Sequence, residues 1–167
     1  MLQGRYLCAT FLFCVVASLA AQQGKPGVLG GEEIKKLAPT TYYFAGQSAP
    51  VQTRNTVGFR SANGKVTLAG FVDTSGYAAD IQQKYQGLFI TETKLDVGGS
   101  QLGPGEYGFG FTKDGKFIVM NVAAEDILTV SSQTDEKLAR PVPLKIAEDG
   151  AGYKLYAGRQ WVGLKAE

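Results

Sequence analysis

From Tyr107 to Met120 the chain alternates in a way that only a β-hairpin accommodates. Aromatic side chains at Tyr107, Phe109 and Phe111 are separated by Gly108 and Gly110, Asp114-Gly115 follows, and Phe117 to Met120 is apolar again. Successive residues of a strand face opposite ways, and Asp-Gly tolerates the positive φ of a two-residue type I′ turn. That turn predicts Phe111 opposite Ile118, Phe109 opposite Met120 and Tyr107 opposite Val122. Asn63-Gly64 predicts a second hairpin, with Ser61 opposite Val66, Phe59 opposite Leu68 and Val57 opposite Gly70. Gly158-Arg159 has the Gly-first pattern of a type II′ turn and predicts a third, pairing Leu155 with Val162 and Tyr156 with Trp161.

Further strands are expected at Thr41 to Ala45, Leu88 to Leu95, Ile127 to Val130 and Val142 to Ile146. Two short helices are expected. The first carries Glu32 and Glu33 at its start, Lys35 and Lys36 at its end, and Ile34 and Leu37 inward, with Pro39 ending it. The second runs from Tyr77 to Tyr85, capped by Ser75, with Tyr77, Ala78, Ile81 and Tyr85 recurring at helical spacing. About nine or ten short strands with turns between them make the fold class mainly β, a single antiparallel β-sandwich with a β-barrel as the alternative.

The N-terminus sets the compartment. Arg5 precedes an apolar run from Tyr6 to Leu19, and Ser18, Ala20 and Ala21 offer a small-residue cleavage site, so residues 1–20 read as a secretory signal peptide. The run is shorter than the ~20 residues a membrane-crossing helix needs, so no span is expected after cleavage. Residues 21–31, rich in Gly and Gln, read as a flexible leader, and residues 32–167 as one β-rich domain. We expect a periplasmic or extracellular protein. The lack of disulfides and of Asn-x-Ser/Thr sequons fits a bacterial one.

Much chemistry is missing from such a chain. Both cysteines, Cys8 and Cys14, lie in the apolar run and there is no histidine, which removes Ser-His-Asp triads and the usual zinc sites. A Ser-Lys pair stays open, as does a two-carboxylate site built from Glu32-Glu33, Glu125-Asp126, Asp135-Glu136 or Glu148-Asp149. Asp73 and Glu92 are the single acids to inspect first, with a turn cap and a surface charge as their expected roles. The 17 basic residues nearly balance 15 acidic ones, with no basic stripe, so nucleic acid is not an expected partner. No metal, cofactor or catalytic residue is expected.

Leu102-Gly103-Pro104-Gly105-Glu106-Tyr107 resembles the Leu-x-Pro-Gly-x-Tyr turn of secreted β-sandwich modules, transthyretin-like and carboxypeptidase-regulatory-like ones among them. The resemblance implies a sandwich and no particular activity. It also looks like the tyrosine corner of immunoglobulin-like folds, without the cysteines of antibody domains.

The alternating aromatics of 107–111 admit a sugar-stacking platform, but a core layer with neighbours packed on the glycines is the simpler reading. Tyr156 and Trp161 fall on the face opposite Leu155 and Val162. Either the helix around Ile81 covers that face, or Tyr156, Arg159 and Trp161 form a partner-binding surface. The expected function is accordingly a non-catalytic exported module that binds an envelope protein or a polysaccharide. A small-ligand carrier, or a barrel-type enzyme using carboxylate, Tyr or Lys chemistry, is the alternative.

Overall fold

A computed structural model describes residues 24–167; the expected signal peptide and the start of the expected leader lie outside the described residues. In chain order the elements are β1 (Gly27–Val28), α1 (Gly31–Leu37), β2 (Thr41–Phe44), β3 (Gln47–Arg60), β4 (Val66–Val72), α2 (Ala79–Gln82), β5 (Gly87–Thr91), β6 (Leu95–Val97), β7 (Ser100–Leu102) and β8 (Gly105–Phe111). There follow β9 (Lys116–Met120), β10 (Asp126–Ser131), β11 (Gln133–Thr134), β12 (Val142–Asp149), β13 (Gly152–Gly158) and β14 (Gln160–Ala166). The first sheet runs β1-β3-β4-β5-β8-β9-β10 with β2 added to β3; the second runs β12-β13-β14-β6-β7 with β11 added to β14. All pairings are antiparallel, 56% of residues are strand, and neither sheet closes into a barrel, so the sandwich holds and the barrel alternative does not.

Each hairpin forms where its turn signal lies, but two of the three registers differ from expectation by one residue. Phe59 faces Thr67, not Leu68, and Phe109 faces Val119, not Met120. The cause is the same in both. Ser61 N–H donates to Lys65 C=O and Gly64 N–H to Ser61 C=O, each at 2.9 Å, so the loop has three residues, with Gly64 alone at positive φ (+80°). Thr112, Lys116 and Gly115 repeat the pattern, with Gly115 at +79°. This is a type I turn closed by a left-handed glycine, the three-residue alternative to type I′. The Gly158-Arg159 turn has two residues as expected, and Tyr156 pairs with Trp161 and Leu155 with Val162.

A slip of one residue exchanges faces. Phe109, Phe111, Phe117 and Val119 therefore share the inner face, where they meet Leu144, Ile146, Leu155, Val162 and Leu164 of the second sheet in a filled core. Gly108, Gly110, Ile118 and Met120 share the outer face of the first sheet. That face is also covered. The Phe44 ring lies against Gly108 and the Lys84 carbonyl against Gly110, where an added Cβ would stand 2.3 Å and 2.0 Å from them. The core reading of the 107–111 aromatics is the one realised: Phe109 and Phe111 are buried, and Tyr107 packs against the same cluster.

The second helix is only Ala79–Gln82, and Ser75 does not cap it. Val72 N–H and Gln86 N–H are bonded to Gln86 C=O and Phe109 C=O, so the segment is tied to the sheet beside both ends and has room for one turn. Tyr77 and Tyr85 flank that turn and bury with Phe44. In α1, Ile34 is buried but Leu37 is 41% exposed, contrary to its expected inward position. The last part of the expected leader is pinned to the sheet: Gly27 and Val28 pair with Arg60 and Phe59, and Leu29 is buried. The expected strand from Leu88 to Leu95 divides at Glu92, where the chain leaves the first sheet after β5 and enters the second as β6.

Candidate functional site

Each sheet carries one candidate surface on its outer face. On the second sheet, the short Gly158-Arg159 turn places Tyr156 directly across from Trp161, with ring centroids 6.3 Å apart. Their strand neighbours Leu155 and Val162 enter the core, so these rings face outward. Lys145 is paired with Tyr156 and holds its Nζ 5.6 Å from the ring centre; Lys154 Nζ stands 4.4 Å from the Trp161 centre and 3.2 Å from Asp149 Oδ2. The result is a ladder of lysine, tyrosine, tryptophan and lysine, held by cation–π contacts. Tyr156 is buried by these neighbours, whereas Trp161 is half-buried.

Neither helix lies over this face, since α1 and the α2 segment pack on the first sheet. Arg159 stands at the rim and donates from Nη1 to the Glu136 carbonyl at 2.9 Å and to the Asp135 carbonyl at 3.4 Å. It thereby holds residues 135–137 beside the rings. A hollow of about 380 Å³ lies between that segment and Lys154, Tyr156 and Trp161.

On the first sheet, β2 folds back over the outer face, leaving a cleft of about 490 Å³. Val66, Leu68 and Ile90 line its floor, Leu37, Tyr43 and Val122 are its exposed apolar borders, and Glu92 and Glu106 bring carboxylates to it. Glu92 Oε2 accepts the Val66 N–H at 2.8 Å. Sequence reasoning missed this cleft, because Glu106 and Val122 lie far along the chain from Leu37 and Tyr43. Tyr42 also lines it, and its hydroxyl is buried without a hydrogen-bond partner; desolvation, then the nearby Glu106 charge, pushes that phenol well above its usual range. Burial raises Tyr85 likewise.

The remaining sequence candidates resolve into local structure. Asp73 Oδ1 accepts the Ser75 N–H at 3.0 Å, and this bond holds its carboxyl below the usual value. Adjacent acids are used separately: Glu32 pairs with Lys35, Glu33 with Arg60, Asp126 with Lys84, and Glu125 bonds Asn121. Among the described residues no serine hydroxyl bonds a lysine amine, no three ligating side chains converge for a metal, and no helix is long and apolar enough to cross a membrane. Compared with known families, curated proteins and solved structures, the chain has no match.

Proposed function

We propose that this protein is a non-catalytic exported module that binds an envelope partner through the outer face of its second sheet. The observation that carries the reading is the Lys145, Tyr156, Trp161 and Lys154 ladder on a sheet face that no helix covers. The lysines occupy the ring faces, so sugar stacking is not the mode this geometry favours. An anionic polymer fits better: its acidic groups meet Lys145, Lys154 and the rim Arg159, while Trp161 supplies apolar contact. The N-terminal pattern around Arg5 and Tyr6 to Leu19 supports export to the periplasm or beyond.

Trp161 is the only tryptophan, so its emission reports on this face alone. Titrating the mature protein with an acidic envelope polysaccharide at low salt should shift that emission. Lys154→Ala should weaken binding about fivefold, the loss of about 1 kcal/mol expected for one exposed charge contact. Binding that leaves the emission unchanged, or no binding at low salt, rejects the reading. The cleft on the first sheet favours a second reading, a small-ligand carrier, because its volume lies within the range of ligand pockets.

A further inference from the structure

We propose that the cleft beside β2 docks an extended segment of a partner protein, one that presents both apolar and basic residues on its cleft-facing side and adds to β2 as a further strand. The hydrogen bonds of the β2–β3 ladder fix which backbone groups of β2 face outward. Val51 N–H donates to Thr40 C=O at 2.9 Å, and the register continues in steps of two through Tyr42 opposite Ala49 and Phe44 opposite Gln47. In an antiparallel pair, bonded and non-bonded positions alternate along each strand. Thr41 and Tyr43 therefore direct their N–H and C=O groups away from β3.

The next residue in this outward row confirms the direction. Ala45 N–H points the same way and is taken by Val122 C=O at 2.8 Å. For Thr41 and Tyr43 no backbone partner occurs among the described residues. The row is thus closed at one end and open along the two residues that line the cleft. Open edges of this kind accept extended peptides, with main-chain bonds supplying affinity and alternate side chains supplying selectivity.

The chemistry of the cleft selects the peptide. Residues of an added strand that point down would lie over the cleft floor, and those above Leu68 and Ile90, between Leu37 and Val122, are apolar positions. Glu106 lies directly opposite Ile90 and shares the floor with Glu92, so a further downward position calls for a basic residue. Neither takes part in an ion pair among the described residues, and the Glu106 carboxylate accepts no hydrogen bond there either. A lysine or arginine beside them gains a partner that the fold itself does not supply. Only Thr41 and Tyr43 offer bonds, so the complex is a weak, reversible one.

The test uses the mature protein, labelled for backbone NMR, and the acetylated, amidated heptapeptide Val-Thr-Lys-Thr-Val-Thr-Lys, which presents valine and lysine on one face and threonine on the other. The expected result is saturable shifts at Thr41, Tyr43 and Glu106. Two further versions of the peptide carry N-methyl groups on either the threonine nitrogens or the valine and lysine nitrogens. Because only alternate residues bond to β2, one version should bind about tenfold more weakly and the other should not, the loss expected for two main-chain bonds. Glu106→Gln should weaken the parent peptide about fivefold at low salt, and replacing every lysine by glutamate should abolish binding.

Equal binding of both methylated peptides overturns the proposal, since it rules out strand addition. So does octylamine shifting these residues while the peptide does not, which makes the cleft a small-ligand site. Concentration-dependent broadening at Thr41 and Tyr43 without peptide overturns it in favour of a second copy of this chain. The polymer titration is read at Trp161 on the other sheet, so failure of either proposal leaves the other standing.

Discussion

Gly108 and Gly110 lack side chains because two separate parts of the chain occupy the space a side chain would need. Phe44 cannot swing away from Gly108, for it is fully buried and stacked on Tyr85 at a centroid distance of 3.9 Å. At Gly110 the obstacle is the Lys84 backbone itself. Gly110→Ala should therefore destabilise by about 3 kcal/mol in urea unfolding, the upper end of overpacking costs. Gly163→Ala, with nothing within 4 Å of the added Cβ, should change stability by less than about 0.5 kcal/mol. Tyr42 carries the opposite lesson, since its buried hydroxyl has no partner. Tyr42→Phe should raise stability by about 1 kcal/mol in thermal unfolding, because an unpaired buried hydroxyl is a cost that phenylalanine avoids. Because burial holds the same phenol protonated in the fold, stability falls as pH rises from its ordinary value of 10.0 toward the folded value, since the unfolded chain ionises first. Close packing at the glycines was legible from their spacing. The identity of what packs there was not, because Phe44 lies 64 residues before Gly108 in the chain.

Loop length decides register in the hairpins. Asn63-Gly64 and Asp114-Gly115 suit two loops equally well, since glycine supplies the left-handed residue in both. The two-residue choice would have set Phe109 opposite Met120 and left Phe117 facing away from Phe111. The three-residue choice groups Phe109, Phe111, Phe117 and Val119 on one side, with Phe111 and Phe117 centroids 4.9 Å apart. Burial of these rings favours that register, each full phenylalanine being worth roughly 1.5–3 kcal/mol. Gly64→Ala should cost about 1 kcal/mol, read as a lowered denaturant midpoint, because alanine is strained at φ +80°. Gly105 is required for the space it leaves and not for its backbone angle. It is not among the residues at positive φ; it is needed because the Tyr107 ring folds back over it and donates its hydroxyl to the Gly103 carbonyl at 3.0 Å.

Across the whole molecule, the β5–β6 crossover and the C-terminus join the sheets. Lys94 pairs with Glu167 at 2.9 Å, Gln101 Nε2 bonds its other oxygen at 2.7 Å, and Thr93 Oγ1 donates to its backbone carbonyl at 3.2 Å. These contacts, the Lys94 bond first, hold the Glu167 carboxyl below its ordinary value; Thr112 and Lys116 do so for Asp114. Groups with depressed values stabilise above their unfolded pKa and lose that contribution as pH falls through the folded one. Urea midpoints should therefore be nearly level from about pH 5 to 8, where no histidine titrates, and should fall below about pH 4. A marked change near pH 6.5 would contradict this account. The β class, the places where the chain reverses and the absence of imidazole follow from the residues themselves, because turn chemistry and alternation act over a few positions. Register, the covering of the first sheet by Phe44 and Tyr85, the cleft and the open edge of β2 arise only in three dimensions. Each depends on which apolar faces meet across long separations, and burial, which rewards area without regard to sequence distance, makes that choice.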